Sequence, residues 1–539
     1  MKKNNIKILG LFAMIALILS CEKELDLAPL DQVSDASFWK SASDFEKAAN
    51  AFYFSLRSAA NGTYDQNSDI TVGHSRNGTS AGQLLLDDGP GWGGAYGSIR
   101  AATRITENYE LAEAIQSETK RYAAEARFFR AQTYHNLVRT FGGVPLIRTV
   151  LTLDSEELDA PRASREEVVA YILEDIDWAI ANLPLESELA SNEKGRVTQG
   201  AALALKSRMF LYEGTWAKYH ATGADANSYF THSINASQAL IDSGEYEIYM
   251  GGSTDAAYRH LFIEEGEGSK ESILARRYNE EREIFHNTSR WVSTNHNSPT
   301  KMLADMYVCT DGLPISISPL FQGYDTMASE FQNRDPRMSQ TMIIPGSVVL
   351  NLGDDISIPN IGGSSGSTRS GYLPYKFFSD NEESQLGRCY YDYMVIRYAE
   401  VLLNHAEALY EKNGSISDSE LDLTINQLRD RVGLTHLTNG LATGNALNML
   451  WQIRNERTVE LAYEGFRYDD LRRWKESENF LPVNLLGVKY DGTDFPVDGN
   501  GFIIADDEGS RSWDQKLYLY PIPVEQIKLN PNLTQNPGW

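Results

Sequence analysis

Cysteine is nearly absent, with three in 539 residues. Cys21, Cys309 and Cys389 stand far apart, so they make neither a disulfide scaffold nor a zinc-binding pattern. Cys309 and Cys389 could pair in an oxidising compartment or sit singly in a core. The nine histidines show no metal spacing, and HExxH does not occur. The reading therefore nominates no metal, no cofactor and no catalytic residue. Positive charge is also short: 49 Lys and Arg against 74 Asp and Glu leave a net charge of −25. That balance argues against nucleic acid and against a basic membrane-surface patch. It disfavours polyanionic ligands unless a local basic pocket exists. Beyond residue 20 no apolar run is long enough for a transmembrane helix.

The first twenty residues are expected to be a leader. Lys2, Lys3 and Lys7 give a basic start, and Ile8 to Leu19 is a nearly unbroken apolar run. The run is short for a bilayer and has signal-peptide layout. Ile18-Leu19-Ser20-Cys21 resembles a lipobox, which makes Cys21 the expected lipidation site. Glu22-Lys23-Glu24-Leu25-Asp26 resembles the short acidic signal that sends some lipoproteins of Gram-negative bacteria to the cell surface.

The remainder reads as mainly α. Tyr122, Ala126, Phe129, Thr133 and Leu137 share one helical face. Ala201, Leu205, Met209 and Tyr212 share another, with Thr198 as N-cap and Gly214 as the stop. Leu421, Ile425, Leu428 and Val432 precede Gly433. Ile396, Leu403, Ala406 and Tyr410 precede Asn413-Gly414. The periodicity predicts helices near 43–60, 95–140, 165–183, 198–216, 227–243 and within 390–465. Small residues such as Ala123, Ala124, Ala126 and Ala131 suit close helix pairs. The expected fold is thus a tetratricopeptide-like helical-pair scaffold with degenerate repeats. Residues 61–94 and 251–390 read as long irregular loops, and 484–539 as an extended C-terminal tail. The expected layout is a leader over 1–20, a helical region over 21–230 and a second region over 231–539. Residues 21–539 are expected to form one globular unit.

Three pattern matches fail on context. Gly89-Pro90-Gly91-Trp92-Gly93-Gly94 satisfies GxGxxG, but no βαβ unit surrounds it. Gly362-Gly363-Ser364-Ser365-Gly366 satisfies GxSxG without the strand and helix of a nucleophile elbow. Asp65-Gln66-Asn67-Ser68-Asp69 opens like a calcium loop, but Ile70 replaces the turn glycine and Arg76 replaces the bidentate glutamate. Carboxylates are so numerous that nothing selects one pair for glycoside hydrolysis.

Several ordered segments carry a resemblance. Leu25-Asp26-Leu27-Ala28-Pro29 and Phe38-Trp39 stand near the start. Gly97-Ser98-Ile99-Arg100-Ala101-Ala102 and Ala124-Glu125-Ala126-Arg127-Phe128-Phe129-Arg130-Ala131 follow, then Phe141-Gly142-Gly143-Val144-Pro145-Leu146. Gly195-Arg196-Val197-Thr198 and Asp335-Pro336-Arg337 come next. The densest stretch runs from Ile396-Arg397-Tyr398-Ala399-Glu400 through His405-Ala406-Glu407-Ala408. Glu456-Arg457, Glu460-Leu461, Glu464-Gly465, Arg467 and Asp470-Leu471-Arg472-Arg473-Trp474 complete it, and Asn536-Pro537-Gly538-Trp539 closes the chain. In this order they resemble the SusD/RagB family of outer-membrane nutrient-binding lipoproteins. Arg457, Glu460 and Glu464 are spaced to share one helical face, where ion pairs among them would be structural.

The resemblance implies a non-enzymatic, lipid-anchored protein of the outer membrane, facing the cell exterior. It would bind an oligo- or polysaccharide and deliver it to a SusC-like TonB-dependent transporter. Cargo of peptide or another nutrient is the alternative, and a surface glycoside hydrolase a further one. A glycan face needs aromatic platforms for the C–H faces of sugar rings, with polar side chains beside them for the hydroxyls. Two loop stretches fit. One carries Tyr64, Asp65, Asp69, Arg76, Asn77 and Trp92. The other carries Tyr278, His286, Asn287, Trp291, Asn295 and Tyr324.

Overall fold

The computed structural model describes residues 38–59, 64–87, 89–293, 297–344, 350–351, 354–355, 368–492 and 495–539. The leader, Cys21, Gly362–Gly366 and Asn295 lie outside the described residues.

Helix follows helix through the first half. α1 (Ala42–Asn50), α2 (Trp92–Leu111), α3 (Gln116–Phe141), α4 (Arg165–Asn182), α5 (Gln199–Tyr219) and α6 (Ala226–Ser243) are those the periodicity predicts. Each packs on its sequence neighbour from α2 to α6, and α6 then packs on α7 (Tyr398–Asn413). This is the helical-pair stacking expected from the small-residue faces. Its core runs from Phe45 through Phe128, Ile172 and Leu205 to Leu402.

Local chemistry sets the ends. Thr198 caps α5 by accepting the Ala201 N–H at 3.2 Å. Gly414 ends α7 in the left-handed region at φ 72°. Gly214, expected as a stop, lies inside α5 instead. A Cβ there would meet the Phe230 ring at 2.6 Å, so this glycine exists for close approach of α6. Ile396 belongs to a strand rather than to α7, because β2 (Ser272–Arg276) and β4 (Tyr393–Arg397) pair antiparallel and the helix starts only at Tyr398. The stripe at 421–432 is two pieces, α8 (Asp418–Leu423) and α9 (Ile425–Val432), broken at Thr424.

A separate apolar cluster holds Ile70 together with Tyr258, Phe262, Leu303, Met338, Tyr372 and Tyr463. α10 (Met449–Glu460) and α11 (Arg467–Arg473) join it to the helical layer. The C-terminal stretch begins with a hairpin, β5 (Leu485–Lys489) against β6 (Phe502–Asp506), which the sequence reading took as extended tail. Beyond it the chain does wrap the helices: the Tyr520 N–H donates to Thr140 and Asn536 donates to Phe141. No helix among the described residues is long and apolar enough to cross a membrane.

The hallmark charges are paired between elements, and most of them are buried. Arg196 pairs with Glu125 at 2.7 Å, and Arg130 with Asp175 at 2.7 Å. Glu460 is met by Arg431, Arg397 and Arg337 at 2.6, 2.7 and 3.0 Å. Arg457 pairs with Asp470, and Glu464 with Arg397 and Lys376. The expected pairing of Arg457, Glu460 and Glu464 with one another does not occur among the described residues: each meets a partner from another element, and α10 ends before Glu464. Cys309 and Cys389 are both buried and free.

Candidate ligand-binding face

The two predicted loops meet. β1 (Thr71–Gly73) pairs antiparallel with β3 (Asn297–Pro299), with Thr71 opposite Pro299 and Gly73 opposite Asn297. Asn297 donates to the Tyr64 carbonyl at 2.7 Å, and the Thr300 hydroxyl to the Asp69 carbonyl at 2.7 Å. The two aromatic-rich segments, more than 200 residues apart in the chain, thus form one ribbon-based patch.

The side chains divide into those that hold the loop and those that face outward. Asp65 is buried at φ 67° and accepts the N–H groups of Gly465 and Arg467. Burial pushes its carboxyl up to about 6. Asp69 is fully buried and forms a two-pronged ion pair with Arg467, both contacts at 2.8 Å. Both carboxylates are engaged inward, which removes them from a calcium loop, although Asp69 also lines the cavity beside Lys301. The Glu464-Gly465 and Arg467 hallmark is therefore the dock that fixes the first loop.

Tyr64 is half-buried, with Arg57 4.8 Å from its ring centre and Tyr393 5.6 Å away. Asn77 folds its side-chain oxygen onto the Thr79 and Ser80 N–H groups. Arg76 is exposed and reaches Asp506 at 2.9 Å. Trp92 stands apart from this patch. It is buried at the start of α2 against Tyr96 and Phe141. There it lines an apolar groove of about 370 Å³ with Tyr96, Pro145, Leu158 and Leu529.

In the second loop, Tyr278 packs edge-on against His286 at 4.5 Å. His286 is held by the Tyr391 carbonyl at 3.0 Å, and burial lowers it to about 4, so it is neutral at neutral pH. Asn287 is half-buried beside Gly387. Trp291 is half-buried on the short helix Thr288–Ser293 that leads toward β3. Tyr324 donates to Asp305 at 2.8 Å and accepts from Lys301 at 2.9 Å.

Sequence reasoning missed the residues around Tyr324. Lys301 sits 4.2 Å from the Tyr324 ring centre and 4.5 Å from that of Phe502, a cation held between two aromatic faces. A cavity of about 260 Å³ opens there, lined by Lys301, Asp305, Asn484, Asp498, Asn500 and Phe502. Apolar surface flanked by amides and carboxylates suits a hydroxylated ring. The hairpin β5–β6 that supplies half of these residues also packs on β1, through Leu485 and Ala505 against Val72. No periodicity signal in the sequence marks this hairpin as part of the face. Another cavity, of about 850 Å³, lies elsewhere, beside β2. Its charges satisfy one another: Arg277 meets Asp392 at 2.5 Å, and Lys194 meets Glu186 at 2.9 Å.

Known proteins share this fold. A family model described as the SusD family matches residues 266–539. A second, described as starch-binding associating with outer membrane, matches residues 30–211. A SusD-like protein of Formosa agariphila is 23% identical, over 98% of this chain and 99% of its own length. A crystal structure of a SusD-like protein from Bacteroides fragilis is 26% identical, with TM-score 0.76, covering 95% of this chain and all of that one. A SusD-like carbohydrate binding protein from the same species is 25% identical, with TM-score 0.76 over 92% of this chain.

Proposed function

The chain belongs to the SusD family, and from that premise we propose that it binds a nutrient glycan at the cell surface without cleaving it. The glycan is an oligo- or polysaccharide, handed to a SusC-like TonB-dependent transporter in the outer membrane. Lipid on Cys21 is the anchor. The binding face is the patch built on β1, β3 and the β5–β6 hairpin, with Arg76, Asn77, Trp291 and the cavity beside Tyr324 and Phe502.

The observation that carries this reading is the pairing of β1 with β3. It joins the two loops whose composition suits sugars, outside the charge network that holds the fold. Buried hallmark charges support a non-catalytic role in the same way. Glu460 and Glu464 spend their hydrogen bonds on Arg337, Arg397, Arg431 and Lys376, so this carboxylate pair is taken up by cations rather than set for acid and base work.

Calorimetry of the mature chain against polysaccharides, oligosaccharides and peptides tests this, with each mixture assayed for products. Saturable binding of a glycan with no new reducing ends is the expected result. Turnover would replace the reading with a hydrolase, and binding of peptides alone would change the cargo class.

A further inference from the structure

Three arginines gather around one carboxylate at the edge of the proposed ligand face, and two of them pair with it. Arg76, from the loop after β1, meets Asp506 at 2.9 Å, and Arg511 meets the same carboxylate at 2.6 Å. Arg369, from the strap that lies against β5, is half-buried beside them and donates to the Gly73 carbonyl at 3.3 Å. Among the described residues Arg369 makes no salt bridge. Asp506 is buried and already shared between two guanidiniums. The next carboxylate, Asp507, is folded back onto the Gly509 N–H, and Glu508 is exposed to solvent.

A partly desolvated guanidinium without a counter-ion is costly, and a charge-assisted partner relieves that cost. Burial lowers the Arg369 guanidinium from its ordinary value; Asp506 pulls it back up, and Arg76 beside it lowers it again. The setting makes this excess of positive charge informative. The chain as a whole carries −25, so chance would place a carboxylate here rather than a third arginine. The long-range field of an acidic protein repels polyanions, but salt screens it beyond about 8 Å under physiological conditions. Attraction within contact range therefore decides whether an anion is held.

We propose that Arg369 and Arg76 form an anion-binding subsite of the ligand face, so that the glycan carries acidic groups, either sulfate esters or uronate carboxylates. This rests on the glycan-binding reading above. Arg511 is the inner member; it fixes Asp506, which in turn holds Arg76 in place. Arg369 and Arg76 present the N–H groups that an incoming oxyanion accepts from. Planar guanidiniums suit both sulfate and carboxylate oxygens.

The test is affinity of the mature chain for a polyuronate (alginate), a sulfated galactan (carrageenan) and a neutral glucan (amylopectin), each with wild type, Arg369→Gln and Arg369→Lys. Arg369 makes no salt bridge among the described residues, so the variants are expected to keep the wild-type melting temperature. At least one acidic polymer should bind more tightly than the neutral one. Arg369→Gln should weaken it by about tenfold or more, as loss of a charged hydrogen bond does, and Arg369→Lys should weaken it less. Preference for the sulfated or the carboxylated polymer names the source of the anion. Binding of the neutral glucan with equal affinity, unchanged in Arg369→Gln, overturns the acidic-ligand proposal and leaves glycan binding standing. Failure to bind any polysaccharide overturns both.

Discussion

Arg397, the last residue of β4, donates to Glu460, the last residue of α10, at 2.7 Å, and both side chains are buried. Arg397 also donates to Glu271 and Glu464. Glu460 also accepts from Arg337 and Arg431. Burial alone would raise the Glu460 carboxyl, but Arg431, Arg397 and Arg337 hold it well below the usual range. These charges sit between the helical layer and the loop-bearing half, so they fix how one meets the other.

Glu460→Gln keeps the shape and removes the charge that three guanidiniums share. Breaking one partner of a buried network leaves uncompensated charge, worth about 3–5 kcal/mol. Urea unfolding should show a loss of that order. A loss under about 1 kcal/mol would contradict a structural role for the junction, since that is the scale of exposed pairs.

Gly214→Ala pits two effects against each other. Alanine gains about 1 kcal/mol of helix propensity over glycine. Its Cβ would lie 2.6 Å from the Phe230 ring, which is itself fully buried. Overpacking costs about 1–3 kcal/mol, so net destabilisation is expected in thermal melting. A raised melting temperature would mean that α5 and α6 have room to separate.

The two tryptophans should separate stability from binding. Trp92 is buried against Tyr96 and Phe141. Trp92→Ala should cost about 3–5 kcal/mol and leave glycan affinity intact in the folded fraction. Trp291→Ala should do the reverse, weakening the glycan with little change in melting. Calorimetry and melting on both variants read this out, and the opposite pattern would move the ligand to the groove beside Trp92.

Glu330 gives a pH signature. Burial pushes its carboxyl up to about 7, although it accepts a hydrogen bond from Tyr372 at 2.7 Å. A carboxyl raised on folding favours the folded state below its unfolded value of about 4.3. That advantage is lost as pH rises through about 7. The loss is on the order of 3 kcal/mol. Melting temperature should therefore fall from pH 5 to pH 8, and fall less in Glu330→Gln. Equal slopes in the two proteins would show that Glu330 does not titrate in this window.

The helices were legible because their signals are local. Thr198 before α5, Gly414 after α7 and the apolar stripes of α3 are written in consecutive residues. Gly214 misled for a tertiary reason: its neighbour Phe230 comes from the next helix. The spacing of Arg457, Glu460 and Glu464 suggested mutual pairs, but helix ends and long-range partners decide such contacts. For the site, composition singled out two loops, and β1–β3 pairing brings them together. It could not separate Asp65 and Asp69, spent on the Gly465–Arg467 turn, from outward residues such as Arg76. Lys301, Arg369 and Phe502 were invisible because each owes its place to a partner far along the chain.

The most direct measurement is amide hydrogen exchange of the mature chain with and without its bound glycan. Protection should rise in β1, β3, the strap at 368–371 and the β5–β6 hairpin, while α2 to α6 exchange as before. Protection confined to the helical layer, or to the groove beside Trp92, would contradict the placement of the ligand on the β1–β3 face.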